Sequence, residues 1–98
     1  MAAPCYLGDE ISAAGYRLAG ARVAVPGPGE ESAALAAARA AAPLVLVSAA
    51  VAARIPGREM RAALTALSPL TLIVPDLAGN VAVPDVAARL RHQLGLEG

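Results

Sequence analysis

Four short apolar runs punctuate the chain, and between them apolar residues recur at helical spacing. Pro4 to Leu7, Arg22 to Val25, Leu44 to Val47 and Leu70 to Val74 read as strands. The uninterrupted character of the last two suits strands buried on both faces, as in parallel sheets covered by helices. After the first strand, Gly8 turns the chain and Asp9 is placed to cap a helix with Ile11, Ala14, Gly15 and Leu18 on its inward face, closed by Gly20. Pro26-Gly27-Pro28-Gly29 ends the second strand in a turn. An Ala-rich helix then opens on Glu30 and Glu31, whose charges favour its N-terminus, and stops before Pro43. A helical segment from Ala49 to Ile55 breaks at Pro56-Gly57. The next helix carries Met60, Ala63, Leu64 and Leu67 on a core-facing stripe and ends at Ser68-Pro69. Pro75 stops the fourth strand, Asp76 to Val81 form a loop, and Pro84-Asp85 start a final helix striped by Val86, Leu90 and Leu94. Asp85 and Arg89 pair along that helix, and Gly95 is its cap.

Strands alternating with helices at this spacing predict an α/β fold: a four-stranded parallel sheet of flavodoxin-like or Rossmann-like order 2-1-3-4, helices on both faces, and a C-terminal helix. The 98 residues form a single domain, with residues 1–80 as the α/β core and residues 81–98 as the terminal helix. Composition changes the picture in one respect. Apolar residues make up 57% of the chain, but Ala dominates, Phe and Trp are absent, and Tyr6 and Tyr16 are the only aromatics. Such a core packs closely but buries little area per residue, so a partner is expected to add stability. Eight Arg balance eight acidic residues and there is no Lys, which argues against general nucleic-acid binding. Cys5 is the one cysteine, which excludes an intrachain disulfide and fits a reducing cytoplasm. No secretory signal is evident at the N-terminus. Arg39, Pro43 and Ser48 interrupt the longest apolar region, so no membrane insertion is expected.

In this topology a ligand would sit at the carboxyl ends of the strands, which makes Gly8, Asp9, Glu10, Ser48, Pro75 and Asp76 the candidate site. Three carboxylates there could hold a divalent cation. A phosphoacceptor receiver domain shares the topology, but the end of the third strand carries Ser48 where that chemistry needs a carboxylate, and the phosphate-neutralising lysine is missing. Gly27 and Gly29 lack the Gly-Lys-Ser/Thr ending of a phosphate cradle, and the flanking prolines remove amide donors. Gly15 to Gly20 lie within and at the end of a helix and so form no dinucleotide fingerprint. Cys5 begins a strand and reads as a structural thiol; His92 has no ligand or nucleophile at suitable spacing and reads as a solvated residue favourable to a helix end. Sequence order thus supplies no catalytic constellation, cofactor site or metal site, and the chain is expected not to be an enzyme.

The order Gly8-Asp9-Glu10, followed by Gly15-Tyr16-Arg17-Leu18-Ala19-Gly20, resembles the opening of the F subunit of the V/A-type rotary ATPases. The likeness continues through the Glu-led helix, the Leu44 to Ser48 strand with Ala53-Arg54-Ile55 after it, the strand ending at Pro75, and Leu94-Gly95 near the end. Where the family commonly has an acidic pair after the third strand, this chain has Ala49-Ala50, and its tail beyond Leu94 is shorter. The resemblance implies a non-catalytic central-stalk component that binds the coiled-coil D subunit of the stalk and other members of the soluble sector. It would be cytoplasmic, peripheral to the membrane, and help couple ATP synthesis or hydrolysis to ion transport. On this reading Val86, Leu90 and Leu94 form the partner contact; the alternative for this stripe is that it covers the domain's own sheet, since four strands need helices on both faces. The alternative is a free-standing flavodoxin-like signalling or ligand-binding domain that uses Asp9, Ser48 and Asp76.

Overall fold

The computed structural model describes residues 2–75, which fold as a four-stranded, all-parallel sheet of order β2-β1-β3-β4. The strands are β1 (Cys5–Leu7), β2 (Arg22–Ala24), β3 (Leu44–Ser48) and β4 (Leu70–Val74). The helices are α1 (Glu10–Leu18), α2 (Glu31–Ala41), α3 (Ala49–Ala52) and α4 (Gly57–Thr65). The expected α/β class and strand order are both present. The loop and helix expected beyond Pro75, with Asp76, Val86, Leu90, His92, Leu94 and Gly95, lie outside the described residues.

Pairing of Tyr6 with Val23 and Leu46, and of Leu46 with Leu72, puts these residues on one face of the sheet, because side chains alternate along each strand. On that face α1 packs through Ala13, Tyr16 and Ala19 against Tyr6 and Leu46, with Val23, Leu44 and Val74 at the margin. The opposite face is covered by α2 and α4. There Leu7, Val45 and Val47 meet Leu35, Ala38, Met60 and Ala63, with Val51 and Ile55 from the α3 region. Among the described residues α2, the one-turn α3 and α4 therefore lie on one face and α1 on the other.

Three burial expectations need correction. The inward face of α1 is Ser12, Ala13, Gly15 and Tyr16, whereas Ile11 and Leu18 are 57% and 53% exposed. The Asp9 cap and the need to stack Tyr16 on Tyr6 set the rotation of this helix, and its largest aliphatic residues fall on a flank. In α4, Met60 and Ala63 are buried as expected, but Leu64 is 40% exposed, the helix ends at Thr65, and Leu67 beyond it is 92% exposed. The Thr65 hydroxyl bonds back to the carbonyls of Arg61 and Ala62 in that last turn. Finally, β4 is not buried on both faces: Thr71 is buried, while Leu70, Leu72 and Ile73 are each exposed by more than two fifths. Its composition matches that of β3, but β3 pairs with β1 and β4, whereas among the described strands β4 has β3 alone as neighbour.

Candidate functional site at the strand ends

The carboxyl ends of β1 and β3 meet the end of β2 in a crevice of about 150 Å³ lined by Gly8, Asp9, Val25, Pro26, Ser48, Ala50, Val51 and Arg54. The structure thus brings together Gly8, Asp9 and Ser48 of the expected site. Gly8 follows β1 with its amide bonded to Ala24 O, and a Cβ at this position would overlap the ring and hydroxyl of Tyr6. Asp9 caps α1: its Oδ2 accepts the Ser12 backbone N–H at 3.0 Å. Partial burial pushes this carboxyl upward, but hydrogen bonds from the Ser12 backbone and hydroxyl and from neighbouring amides outweigh it, and its pKa lies below the usual value. Ser48 caps α3, its Oγ accepting the Val51 N–H at 3.1 Å.

Glu10 points elsewhere. It lines a separate hollow with Ala13, Arg17 and Val25. Asp76 lies outside the described residues, and among those described no three His, Cys, Asp or Glu side chains are grouped so as to hold a metal ion. The cation cluster expected from the three carboxylates is therefore not assembled from Asp9 and Glu10, because one is committed to a helix cap and the other faces another surface.

Arg54 is the crevice residue that sequence reasoning did not single out. It reaches the site because α3 is only one turn long and the chain then doubles back, which places its guanidinium 3.8 Å from Glu31. Glu31 is buried and its Oε1 also accepts the Gly29 N–H at 2.9 Å, while Glu30 accepts the Gly27 N–H at 3.0 Å. The two glycine amides of the Pro-Gly-Pro-Gly loop are thus held by the chain's own carboxylates, which bears out the turn reading over a phosphate cradle. Chemically, the crevice presents two capping side chains and a cation already paired to a buried acid. Cys5 sits away from it, half-buried in a cavity of about 260 Å³ between α2 and β2 lined largely by alanines. Burial raises the Cys5 thiol pKa and nearby Arg22 partly offsets that rise, as suits a structural thiol.

The residues of the Gly-Tyr-Arg-Leu-Ala-Gly run form one structural unit with β1. Tyr16 stacks on Tyr6 with ring centroids 4.0 Å apart and planes 14° from parallel. Gly15 is buried, Arg17 lies on the charged flank, and Ala19 ends the helix, followed by Gly20 at φ 106°, the left-handed position a glycine takes most readily.

Fold and crevice together define a small Rossmann-like α/β domain whose strand-end polar groups serve as helix caps. Among the described residues no helix is long and apolar enough to cross a membrane. A scan of known protein families and searches of curated proteins and of solved structures find no match to this chain.

Proposed function

We propose that the chain is a non-catalytic rotor component of a V/A-type ATPase, the counterpart of the F subunit. In this role it locks onto the coiled-coil D subunit of the central stalk, so that torque passes between the catalytic head and the ion-translocating rotor. The observation that carries the reading is the ordered match of Gly8-Asp9 and Gly15-Tyr16-Arg17-Leu18-Ala19-Gly20 to the opening of that family. The small parallel sheet of order 2-1-3-4 agrees with it, as does the net charge of zero. ATP chemistry then belongs to other parts of the complex, the domain works in the cytoplasmic sector peripheral to the membrane, and Val86, Leu90 and Leu94 supply the contact with the stalk coiled coil.

A free-standing ligand-binding domain is the competing reading, and the strand-end crevice is the feature it would use. At about 150 Å³ the crevice is smaller than the roughly 300–1,000 Å³ typical of small-molecule pockets. Calorimetry of the full chain against the coiled-coil stalk protein from the same source, beside a Leu90→Asp/Leu94→Asp variant, tests the proposal. Tight binding abolished in the variant supports it. A folded chain that does not bind sinks it, and a melting shift with nucleotide or Mg²⁺ in the absence of any partner would favour the ligand-binding domain.

A further inference from the structure

Helix α2 packs over β1 and β3, and α4 over β4, so among the described residues β2 has no helix of its own on this face of the sheet. The gap left beside α2 is the hollow of about 260 Å³ in which Cys5 is half-buried. Pairing of Cys5 with Arg22 and of Leu7 with Ala24 turns all four side chains to this face, because paired residues on neighbouring strands point the same way. Leu7 and Ala24 form the floor. Ala34, Ala38 and Ala41, at helical spacing along α2, form the wall. Protein interiors hold few voids larger than a water molecule, and large aliphatic side chains normally close such a seam. Here the wall is cut back to methyl groups over about 10 Å of helix.

The mouth of the hollow is cationic. Helix α2 runs back toward the start of β3, so its last turn stands beside Cys5 and Arg22, the first residues of β1 and β2. Among the described residues no carboxylate pairs with the Arg22 guanidinium, whereas Arg54 holds Glu31 and Arg39 holds Thr71 and two carbonyls. The Arg22 charge is felt at the Cys5 thiol, and it outweighs the partial negative charge, about half a unit, at the C-terminus of α2. Pockets for drug-sized ligands run roughly 300–1,000 Å³ and join an apolar lining to a few polar groups. A hollow just below that range, apolar along its length with a cation at one end, suits a slim apolar chain with an anionic head. A guanidinium presents two parallel donors to a carboxylate. We propose that this hollow binds a straight-chain aliphatic carboxylate, its chain along the α2 alanines and its head on the Arg22 guanidinium. The hollow shares no residue with the strand-end crevice, and the proposal does not rest on the rotor reading.

NMR titration of the isotope-labelled full chain with butyrate, hexanoate and octanoate, each beside the alcohol of equal length, tests it. The expected shifts concentrate at the amides of Arg22, Ala24, Ala34 and Ala38. The dissociation constant should tighten by up to about fourfold per added methylene until the hollow is full. Carboxylates should bind more tightly than alcohols and slow the alkylation of Cys5. Arg22→Gln should abolish the preference for carboxylate and leave alcohol binding in place. Ala37→Leu, at an exposed position on the rim, should abolish both in a chain whose spectrum is still folded. Unmoved amides in the folded parent chain, or carboxylate binding that survives both variants, would overturn the proposal. So would shifts of the same amides with protein concentration alone, since a second copy of the chain would then fill the hollow. None of these results depends on whether a stalk protein binds.

Discussion

Arg39 ties together three elements far apart in sequence, and removing its charge should loosen the whole β4 side of the domain. From α2 its Nη1 donates to Ala63 O and Pro69 O, each at 3.2 Å, and to Thr71 Oγ1. Ala63 O is one of the last four carbonyls of α4, which have no partner within the helix, so Arg39 serves as a cation at that helix end. Thr71 is 1% exposed, so its hydroxyl oxygen is served by the guanidinium and not by bulk water. Arg39→Met keeps the apolar stem and deletes the donors. A hydrogen bond to a charged group contributes about 1.5–3 kcal/mol, and orphaned acceptors add to the loss, so the variant should be about 2–4 kcal/mol less stable. For a domain of this size that is roughly 10–25 °C in Tm, out of a total stability of about 5–15 kcal/mol. Urea unfolding followed by circular dichroism measures it. Thr71→Val closes a double-mutant cycle: it should cost about 1 kcal/mol in the parent chain and nothing, or less than nothing, beside Arg39→Met, because the valine removes the orphaned hydroxyl. An equal cost of Thr71→Val in both backgrounds, or a loss for Arg39→Met within error of zero, would refute the latch.

The remaining predictions concern titrating groups. Because the folded-state pKa of Asp9 is depressed, its contribution is present above the unfolded carboxyl pKa and disappears as pH falls through the folded value. Asp9→Ala should therefore cost about 1 kcal/mol at neutral pH, and the two unfolding curves should merge in acid, whereas a gap that persists in acid would assign the cost to something other than the charged cap. For Cys5, burial holds the thiol protonated, so alkylation by iodoacetamide should have its half-maximal rate at a higher pH than for free cysteine. Arg22→Gln should move that midpoint higher still; a midpoint at or below that of the free amino acid contradicts the assignment.

Much of the fold was legible because turn chemistry marks its joints. Pro26 to Gly29, Pro43, Pro56-Gly57 and Pro75 each stand at an element boundary, and Asp9 and Gly20 sit where a cap or a positive φ is needed. What escaped detection was lateral position. Leu70 to Val74 reads like Leu44 to Val47, and nothing local says that β3 lies inside the sheet and β4 at an end of its described part; strand order decides, and burial follows. In α1 the largest aliphatic side chains suggested the inward face, but a stacked tyrosine pair and small residues let the helix come close to the sheet, leaving Ile11 and Leu18 on its flank. The candidate site divides the same way. The capping role of Asp9 is local and legible in sequence, whereas Ser48, expected only as a strand-end site residue, proves to cap α3. Arg54 beside Glu31, and Arg39 beside Thr71, are tertiary pairings 23 and 32 residues apart in sequence, which no periodicity announces.

The residues that carry the family likeness are also those that build the β1–α1 unit. Gly8 leaves room for the Tyr6 ring, Asp9 caps the helix, Tyr16 stacks on Tyr6, and Gly20 takes a left-handed turn. Substituting any of them perturbs folding first, so loss of partner binding in a Tyr16 variant would report an unfolded domain as readily as a lost contact. A functional test must therefore act where the architecture has stability to spare and apolar surface to offer. In the described residues that surface is the outer half of the α1 face, Ile11, Leu18, Leu70 and Leu72. In sequence it is the Val86, Leu90 and Leu94 stripe. A charge placed on either apolar surface leaves the Tyr6–Tyr16 unit intact, and the Tyr near-ultraviolet signal then separates a chain that has lost partner binding from one that has lost its fold.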